Sequence, residues 1–300
     1  ILRQHPWVFS GAIQKLEGEV VDGKWVQVSD SAGTCPGFGH YQNGSIAVRI
    51  LSFGTKPPAD DFWYEKIDAA LRTRIAAGLP SEITNAFRLI HGEGDGAPGL
   101  VIDYYDGVAV VQAHSAGMHL DRQWIAEAIR EILSETKAIY YKSHGTLPGK
   151  MRDESSEEYL LGMGMAPHIV TENGNKFYVD WEEGQKTGFF LDQRENRKLL
   201  GSFCKDRKVL NTFCYTGGFS IYALHAGASI VHSVDSSEKA IALTRKNIEL
   251  NGFSPDFHKC LAEDTFDFLK EKEGIYDVIV LDPPAFAKHR DARHQAVRGY

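Results

Sequence analysis

The chain has 300 residues, of which 43% are hydrophobic and 24% charged, with a formal net charge of -7. That composition holds enough apolar material for two or three cored domains and excludes a low-complexity chain. No apolar run approaches membrane-spanning length and no charged start leads into an apolar leader. The four cysteines, Cys35, Cys204, Cys214 and Cys260, lack C-x-x-C spacing, so neither a metal site nor a disulfide framework is expected, and a reducing cytoplasm is the simplest location.

Residues 1 to about 75 alternate short β-like runs with turns, as in Lys24–Val28 and Ser45–Leu51, which predicts a small β-barrel. A helical stretch from Ala59 to Ala77 leads out of it. The middle region, 76–184, offers hairpin-like strands at Gly99–Tyr104 and Val108–His114, an amphipathic helix over Leu120–Glu135 and a strand at Ala138–Lys142. These elements predict a small α+β domain with no evident site. A basic cluster, Lys142, His144, Lys150 and Arg152, falls in a segment with glycine and proline that reads as a surface loop.

The third region, 185–300, opens with a linker in which Asp192 and Glu195 have the spacing of a capping box for a helix running to Phe203. Next comes the most informative stretch, Val209-Leu-Asn-Thr-Phe-Cys-Tyr-Thr-Gly-Gly-Phe-Ser220, a buried strand that breaks at Gly217 and Gly218 and enters a helix over Ile221–Ala226. Paired glycines permit a tight turn and close approach of a ligand to the main chain, and the helix N-terminus aims amides at the same spot. The following strand, Ser229–Asp235, ends in a carboxylate placed to grip a ribose diol. Asp264 follows a third short strand, and Asp282 ends the apolar run Tyr276–Asp282. Acids at successive strand ends describe a nucleoside-binding crevice on an open parallel sheet. The glycine turn lacks the third glycine of a dinucleotide fingerprint, which suits a ligand with an adenosine and no diphosphate. Pro283 and Pro284, with fixed φ and no amide hydrogens, form a rigid lip behind Asp282.

Three strings in this order, Gly184-Gln-Lys-Thr-Gly-Phe-Phe-Leu-Asp-Gln-Arg194, Tyr215-Thr-Gly-Gly-Phe219 and Leu281-Asp-Pro-Pro-Ala-Phe286, resemble the class I S-adenosylmethionine-dependent methyltransferases, in particular the large-subunit ribosomal RNA cytosine-C5 enzymes with an N-terminal PUA domain. His5–Gly11 is similar to the opening of that PUA domain and Glu93–Asp103 to the family's central domain, so the resemblance spans nearly the whole chain. It implies a Rossmann-like α/β parallel sheet preceded by a PUA-like barrel and a central domain, with S-adenosyl-L-methionine as cofactor and large-subunit ribosomal RNA as partner. A homodimer is compatible with this reading. Cofactor contacts are expected from Lys186, Thr187, Phe189, Arg194, Asn211, Phe213, Tyr215, Thr216, Gly217, Gly218, Asp235, Ser236, Asp264, Thr265 and Asp282. Asp282, Pro283, Pro284 and Phe286 are expected to orient the reacting base. Asn211 departs from the acid common in this family's turn and brings no charge.

Cytosine C5 chemistry needs a thiolate that adds to C6, and in the family that cysteine follows the fifth strand. Four strands do not complete a seven-stranded sheet, so the chain is expected to be a piece of a longer protein with the nucleophile past Tyr300; Cys214 and Cys260 read as packing residues. Guanine-N7 ribosomal RNA methyltransferases share two of the strings and need no thiol, and a non-catalytic RNA-binding protein with a retained cofactor fold is the third reading. The net charge opposes phosphate binding as a whole. The run Lys288 to Arg298, with Lys288, Arg290, Arg293 and Arg298 against Asp291, supplies local positive charge.

Overall fold

Alternating apolar residues in the N-terminal region pair into a four-stranded antiparallel sheet: β1 (Trp7–Phe9), β2 (Trp25–Val28), β3 (Gly37–Tyr41) and β4 (Ile46–Phe53), in the order β1-β4-β3-β2. Gly39 is dictated by packing, because a Cβ there would stand 2.0 Å from the Arg49 carbonyl oxygen. The computed structural model describes residues 5–154, 156–270 and 274–284. Phe286 and the basic run from Lys288 to Arg298 lie outside the described residues.

The chain divides into two units, one drawn from Ile1–His168 with Val179–Phe189 and the other from Ile169–Tyr178 with Phe190–Tyr300. In the first unit, α1 (Phe62–Ala76) buries Trp63, Ile67 and Ala70. A five-stranded sheet follows in sequential order: β5 (Ala86–His91), β6 (Leu100–Tyr105), β7 (Val108–Ala113), β8 (Ala138–Tyr141) and β9 (Glu158–Leu161). Only β7 and β8 are parallel, and α2 (Ala116–Leu120) and α3 (Arg122–Ile132) make the crossover that a parallel pair requires. Helix α3 follows the helical period, with Ile125, Ala126, Ala128 and Ile129 buried and Trp124 left outside. A short helix, α4 (Gly149–Glu154), precedes β9.

Strands β6, β7 and β8 match the sequence expectation, whereas β5 and β9 escape it. In β5 a charge, Arg88, interrupts the apolar run; it is neutralised by Asp103, its register partner on β6, through bonds of 2.8 and 3.0 Å. The four-residue β9 is a half-exposed edge strand and shows little alternation.

In the second unit, β10 (His168–Glu172) and β11 (Asn175–Val179) form a hairpin about Asn173 and Gly174, both at positive φ, as a two-residue hairpin turn demands. Four parallel strands, β12 (Lys208–Thr212), β13 (Ile230–Asp235), β14 (His258–Ala262) and β15 (Val278–Leu281), stand in the order β14-β13-β12-β15. They are joined through α6 (Gly218–His225), α7 (Glu238–Leu250) and α8 (Thr265–Lys270). The order reverses at β12, so the crevice of an open α/β sheet falls at the carboxyl ends of β12 and β15.

The expected capping box is not formed. Residues Leu191–Gln193 make a 3-10 turn, α5 (Arg194–Gly201) starts without a side-chain cap, and Glu195 instead accepts from Arg194 Nε at 3.1 Å. What anchors α5 is Arg197, buried and bidentate to Glu172 of β10 at 2.8 and 2.7 Å, with Tyr222 of α6 donating to the same carboxylate at 3.0 Å. Asn247 of α7 accepts from the Tyr178 amide at 2.8 Å and Asn251 bonds both backbone groups of Lys176, which fixes β11 to the same unit.

Removing one member of a buried bidentate pair leaves the other charge uncompensated. Glu172→Ala is therefore expected to cost about 3–5 kcal/mol in urea unfolding, while the double change Glu172→Leu with Arg197→Met recovers most of that loss.

Candidate active site

The turn after β12 is built on left-handed backbone. Phe213 and Tyr215 have φ of 51 and 48°, and Gly217 has φ 73°. Aromatic residues pay about 1–3 kcal/mol for this conformation, and such strain persists where surrounding contacts over-determine it. The contacts come from α7. Thr244 Oγ1 donates to the Tyr215 carbonyl at 3.0 Å, Asn247 Nδ2 donates to the Thr216 carbonyl at 2.8 Å, and the Cys214 thiol lies 3.6 Å from Thr244 Oγ1. Phe190 packs edge-on to Tyr215, and Phe213 edge-on to Phe266 of α8.

The glycine pair answers to packing more directly than to a ligand. A Cβ on Gly217 would lie 2.6 Å from Thr244 Cγ2, and one on Gly218 would lie 3.0 Å from Arg197 Cδ. Both glycines are therefore also required by packing, since the space a Cβ would take is filled by α7 and α5. What remains pointed at the crevice is the N-terminal end of α6, which begins at Gly218, three residues earlier than expected.

Asp235, at the end of β13, is held by two backbone amides, Tyr215 N to Oδ2 at 3.0 Å and Ser237 N to Oδ1 at 2.9 Å. Each carboxylate oxygen keeps further acceptor capacity, the chemistry a diol requires. Ser236 beside it is exposed. Asp264 caps α8, its Oδ1 accepting from the Phe266 and Asp267 amides at 2.9 and 3.1 Å; Thr265 is buried with its hydroxyl unpartnered among the described residues. The register pairs Thr212 with Leu281, so Phe213 and Asp282 leave adjacent strand ends together, and Thr212 Oγ1 ties the two strands by donating to the Val280 carbonyl at 2.6 Å. Asp282 and Pro284 are exposed and Pro283 half-buried. Within this unit Phe213, Tyr215, Thr216, Gly217, Gly218, Asp235 and Asp282 follow the carboxyl edge of β12, β13 and β15.

Asn211 faces elsewhere. It is 1% exposed and its Nδ2 donates to Ser220 Oγ at 2.9 Å, within a buried polar chain that continues through Ser233 Oγ to His258 Nε2. Arg194 is engaged by its neighbour Glu195.

Lys186, Thr187 and Phe189 belong to the first unit. The Thr187 hydroxyl, 1% exposed, donates to Asp103 Oδ2 at 2.6 Å and meets Tyr105 Oη at 3.1 Å. Lys186 is exposed at φ 50° and Phe189 is buried. Lys142, taken from sequence as part of a basic loop, donates Nζ to the carbonyls of Glu182 and Gly184 at 3.3 and 2.6 Å, so it braces this motif. Asp103, Thr244 and Asn247 are the supporting residues that the sequence did not single out. For Asp103 a signal existed, a carboxylate inside the apolar run Leu100–Tyr105.

Burial pushes the Cys214 thiol up to about 12 and the Cys260 thiol up to about 11, so both stay protonated at neutral pH, consistent with packing roles. No group of three or more His, Cys, Asp or Glu residues suited to a metal occurs among the described residues.

A parallel sheet with a switch point, a strained glycine turn and a carboxylate held at the next strand end define a nucleoside-cofactor enzyme of the class I methyltransferase type. A family model described as S-adenosylmethionine-dependent methyltransferase matches residues 87–299, and one for a PUA-like domain matches residues 1–53. The chain belongs to this S-adenosylmethionine-dependent methyltransferase family. Ribosomal RNA large subunit methyltransferase I of Alteromonas mediterranea is 39% identical, with 99% of this chain and 76% of that protein covered. The protein of the same name from Escherichia coli is 34% identical, covering 100% and 77%. Among solved structures, a protein described as a methyltransferase and crystallised with SAH has a TM-score of 0.82 at 26% identity, over 97% of this chain and 74% of the other. A Streptococcus mutans protein described as a SAM-dependent methyltransferase has a TM-score of 0.80 at 24% identity, over 98% and 78%, and shows the shared fold.

Gly217→Ala combines a left-handed φ with a clash and is expected to destabilise the protein by about 2–4 kcal/mol. Thr244→Ala in the same background recovers the steric share, measurable in a double-mutant cycle of urea midpoints. Iodoacetamide at pH 8 should leave Cys214 and Cys260 unlabelled in the native protein and label both in urea; labelling that rises only as pH approaches 11 is the sign expected for raised thiol pKa values.

Proposed function

We propose that this protein transfers a methyl group from S-adenosylmethionine to large-subunit ribosomal RNA, at C5 of a cytosine. The observation that carries the proposal is the pairing of strand ends at β12 and β15, which brings the turn beginning at Phe213 beside Asp282. The substrate class is supported by relatives named for large-subunit ribosomal RNA.

Bound cofactor supplies an electrophilic methyl group on a sulfonium. The donor set fits it: Asp235 offers acceptor lone pairs to the ribose hydroxyls, and the turn from Phe213 to Gly218 lines the same edge. Asp264 and Thr265 flank the adenine side, although Asp264 also caps α8. Asp282 accepts from the exocyclic N4–H of an unstacked cytosine, and Pro283 limits its tilt, since a base inside a duplex is out of reach of the methyl group. Arg194, in the same unit, completes the cofactor contacts. Asn211 acts through its bond to Ser220 and is a positioning residue in this scheme. The protonated Cys214 and Cys260 are not assigned the attack on C6. A cytoplasmic site of action and a homodimeric state, checked by fractionation and by light scattering, complete the proposal.

Methyl transfer from radiolabelled cofactor to unmodified large-subunit ribosomal RNA, with nucleoside analysis, tests it. Label in 5-methylcytosine supports the proposal, label in 7-methylguanine replaces it with the thiol-independent chemistry, and cofactor binding without label on ribosomal RNA overturns the substrate class. Asp282→Ala is expected to abolish transfer while leaving SAH affinity within about threefold. Asp235→Asn is expected to weaken SAH binding by about 10–100-fold in calorimetry.

A further inference from the structure

The first unit carries a cavity of about 700 Å³ whose residues have no role in the methyl-transfer reading. Its walls come from β2, β3, α1 and α3, with Trp25, Phe38, Phe62, Trp63, Tyr64 and Trp124 supplying six aromatic side chains and Pro57 and Pro58 a rigid flank. Trp25 and Phe62 are set edge to face at 5.4 Å and Phe62 and Trp63 at 5.1 Å, so this part of the wall is a fixed aromatic corner. Trp63 is pinned from behind, its Nε1 donating to the buried Asp121 at 3.0 Å. Trp124 stands 59% exposed.

The charge of the lining decides the ligand. Asp60 and Glu127 are both part of it and both exposed, and no lysine or arginine lines it; Lys66, whose Nζ lies 5.4 Å from the Phe62 centroid, is outside the lining. A nucleic-acid strand requires cations to neutralise its phosphates, and here it would meet two carboxylates. A wholly apolar partner would bury those carboxylates without a counter-charge. A cation on an apolar stem satisfies both demands, because ring faces attract guanidinium groups and the acids pair with them. Proline rings fit aromatic and proline-lined grooves in an extended, pre-ordered conformation with little entropy to lose.

We propose that this cavity is a docking site for an extended arginine- and proline-bearing segment of another polypeptide. The guanidinium group packs between Trp124 and the corner formed by Trp25 and Phe62, and Asp60 and Glu127 receive its N–H donors. The site is independent of the methyl-transfer reading and goes beyond it.

Trp25, Trp63 and Trp124 are three of the five tryptophans in the chain, so intrinsic fluorescence reports occupancy. The probe is a synthetic peptide of alternating arginine and proline, titrated into the full chain, with a second peptide in which citrulline replaces every arginine. The expected result is saturable quenching by the arginine peptide, about tenfold weaker binding in Trp124→Ala and in the double variant Asp60→Asn with Glu127→Gln, and a comparable loss for the citrulline peptide. Circular dichroism confirms that the exposed substitutions leave the fold intact, and Glu131→Gln, on α3 outside the lining, serves as a control for general attraction to an acidic protein. Equal binding by citrulline and arginine peptides, binding unchanged by the cavity substitutions, or competition for the cavity by a single-stranded RNA oligonucleotide each overturns the proposal.

Discussion

The hold of α7 on the turn after β12 is the constraint on which the candidate site rests. Three residues of that turn, Phe213, Tyr215 and Gly217, are in left-handed conformation, and two of them are aromatic. Left to itself such a segment relaxes to ordinary β or helical angles, because each bulky residue at positive φ is disfavoured. Thr244 and Asn247 prevent this by taking two consecutive carbonyls, those of Tyr215 and Thr216, and by filling the volume that a Cβ on Gly217 would need. The same turn geometry aims the Tyr215 amide at Asp235. Placement of the Asp235 carboxylate therefore depends on a helix that touches no proposed ligand.

Beneath this turn the sheet carries polar side chains where a purely apolar core would be simpler. Asn211, Ser220, Ser233 and His258 connect β12, α6, β13 and β14 through bonds of 2.5 to 2.9 Å. Burial lowers His258 to about 4, so it is neutral at physiological pH and this row of four side chains carries no charge. This explains why an amide at position 211 is tolerated. A carboxylate at 1% exposure, facing a hydroxyl and no cation, would lack compensation for its desolvation. The absence of charge at Asn211 is a feature of the buried network.

Sequence alone revealed the elements whose signal is local. Parallel strands read as apolar runs, and β12 and β13 end at Thr212 and Asp235 while Asp282 follows β15 directly, so their carboxyl edges and the acids there were legible before any fold was known. Interactions between distant residues were not. Arg88 with Asp103, Arg197 with Glu172, and Asn247 with Tyr178 pair across 15, 25 and 69 residues, and nothing in the immediate neighbourhood of any of them announces its partner. The opposite error came from a local pattern that tertiary contacts overrode. Asp192 and Glu195 have capping-box spacing, yet a 3-10 turn precedes α5 and Glu195 turns to Arg194. Gly217 and Gly218 have a packing reason that the sequence did not show, since their missing side chains make room for Thr244 and Arg197.

The two units solve the same mechanical problem in the same way. In the first, the buried Asp103 takes both ends of the Arg88 guanidinium and one hydroxyl, that of Thr187. In the second, the buried Glu172 takes both ends of Arg197 and one hydroxyl, that of Tyr222. Each carboxylate is fully desolvated and would be costly if its arginine were absent, so each arrangement is all-or-none and resists partial opening. Thr187 lies within the segment from Gly184 to Arg194, and Arg197 lies just past its end. Each carboxylate thus ties a neighbouring side chain to its own unit, Asp103 holding Thr187 in the first and Glu172 holding Arg197 in the second. The exposed Lys186, at positive φ, directly precedes Thr187 and so is placed by that bond within the first unit.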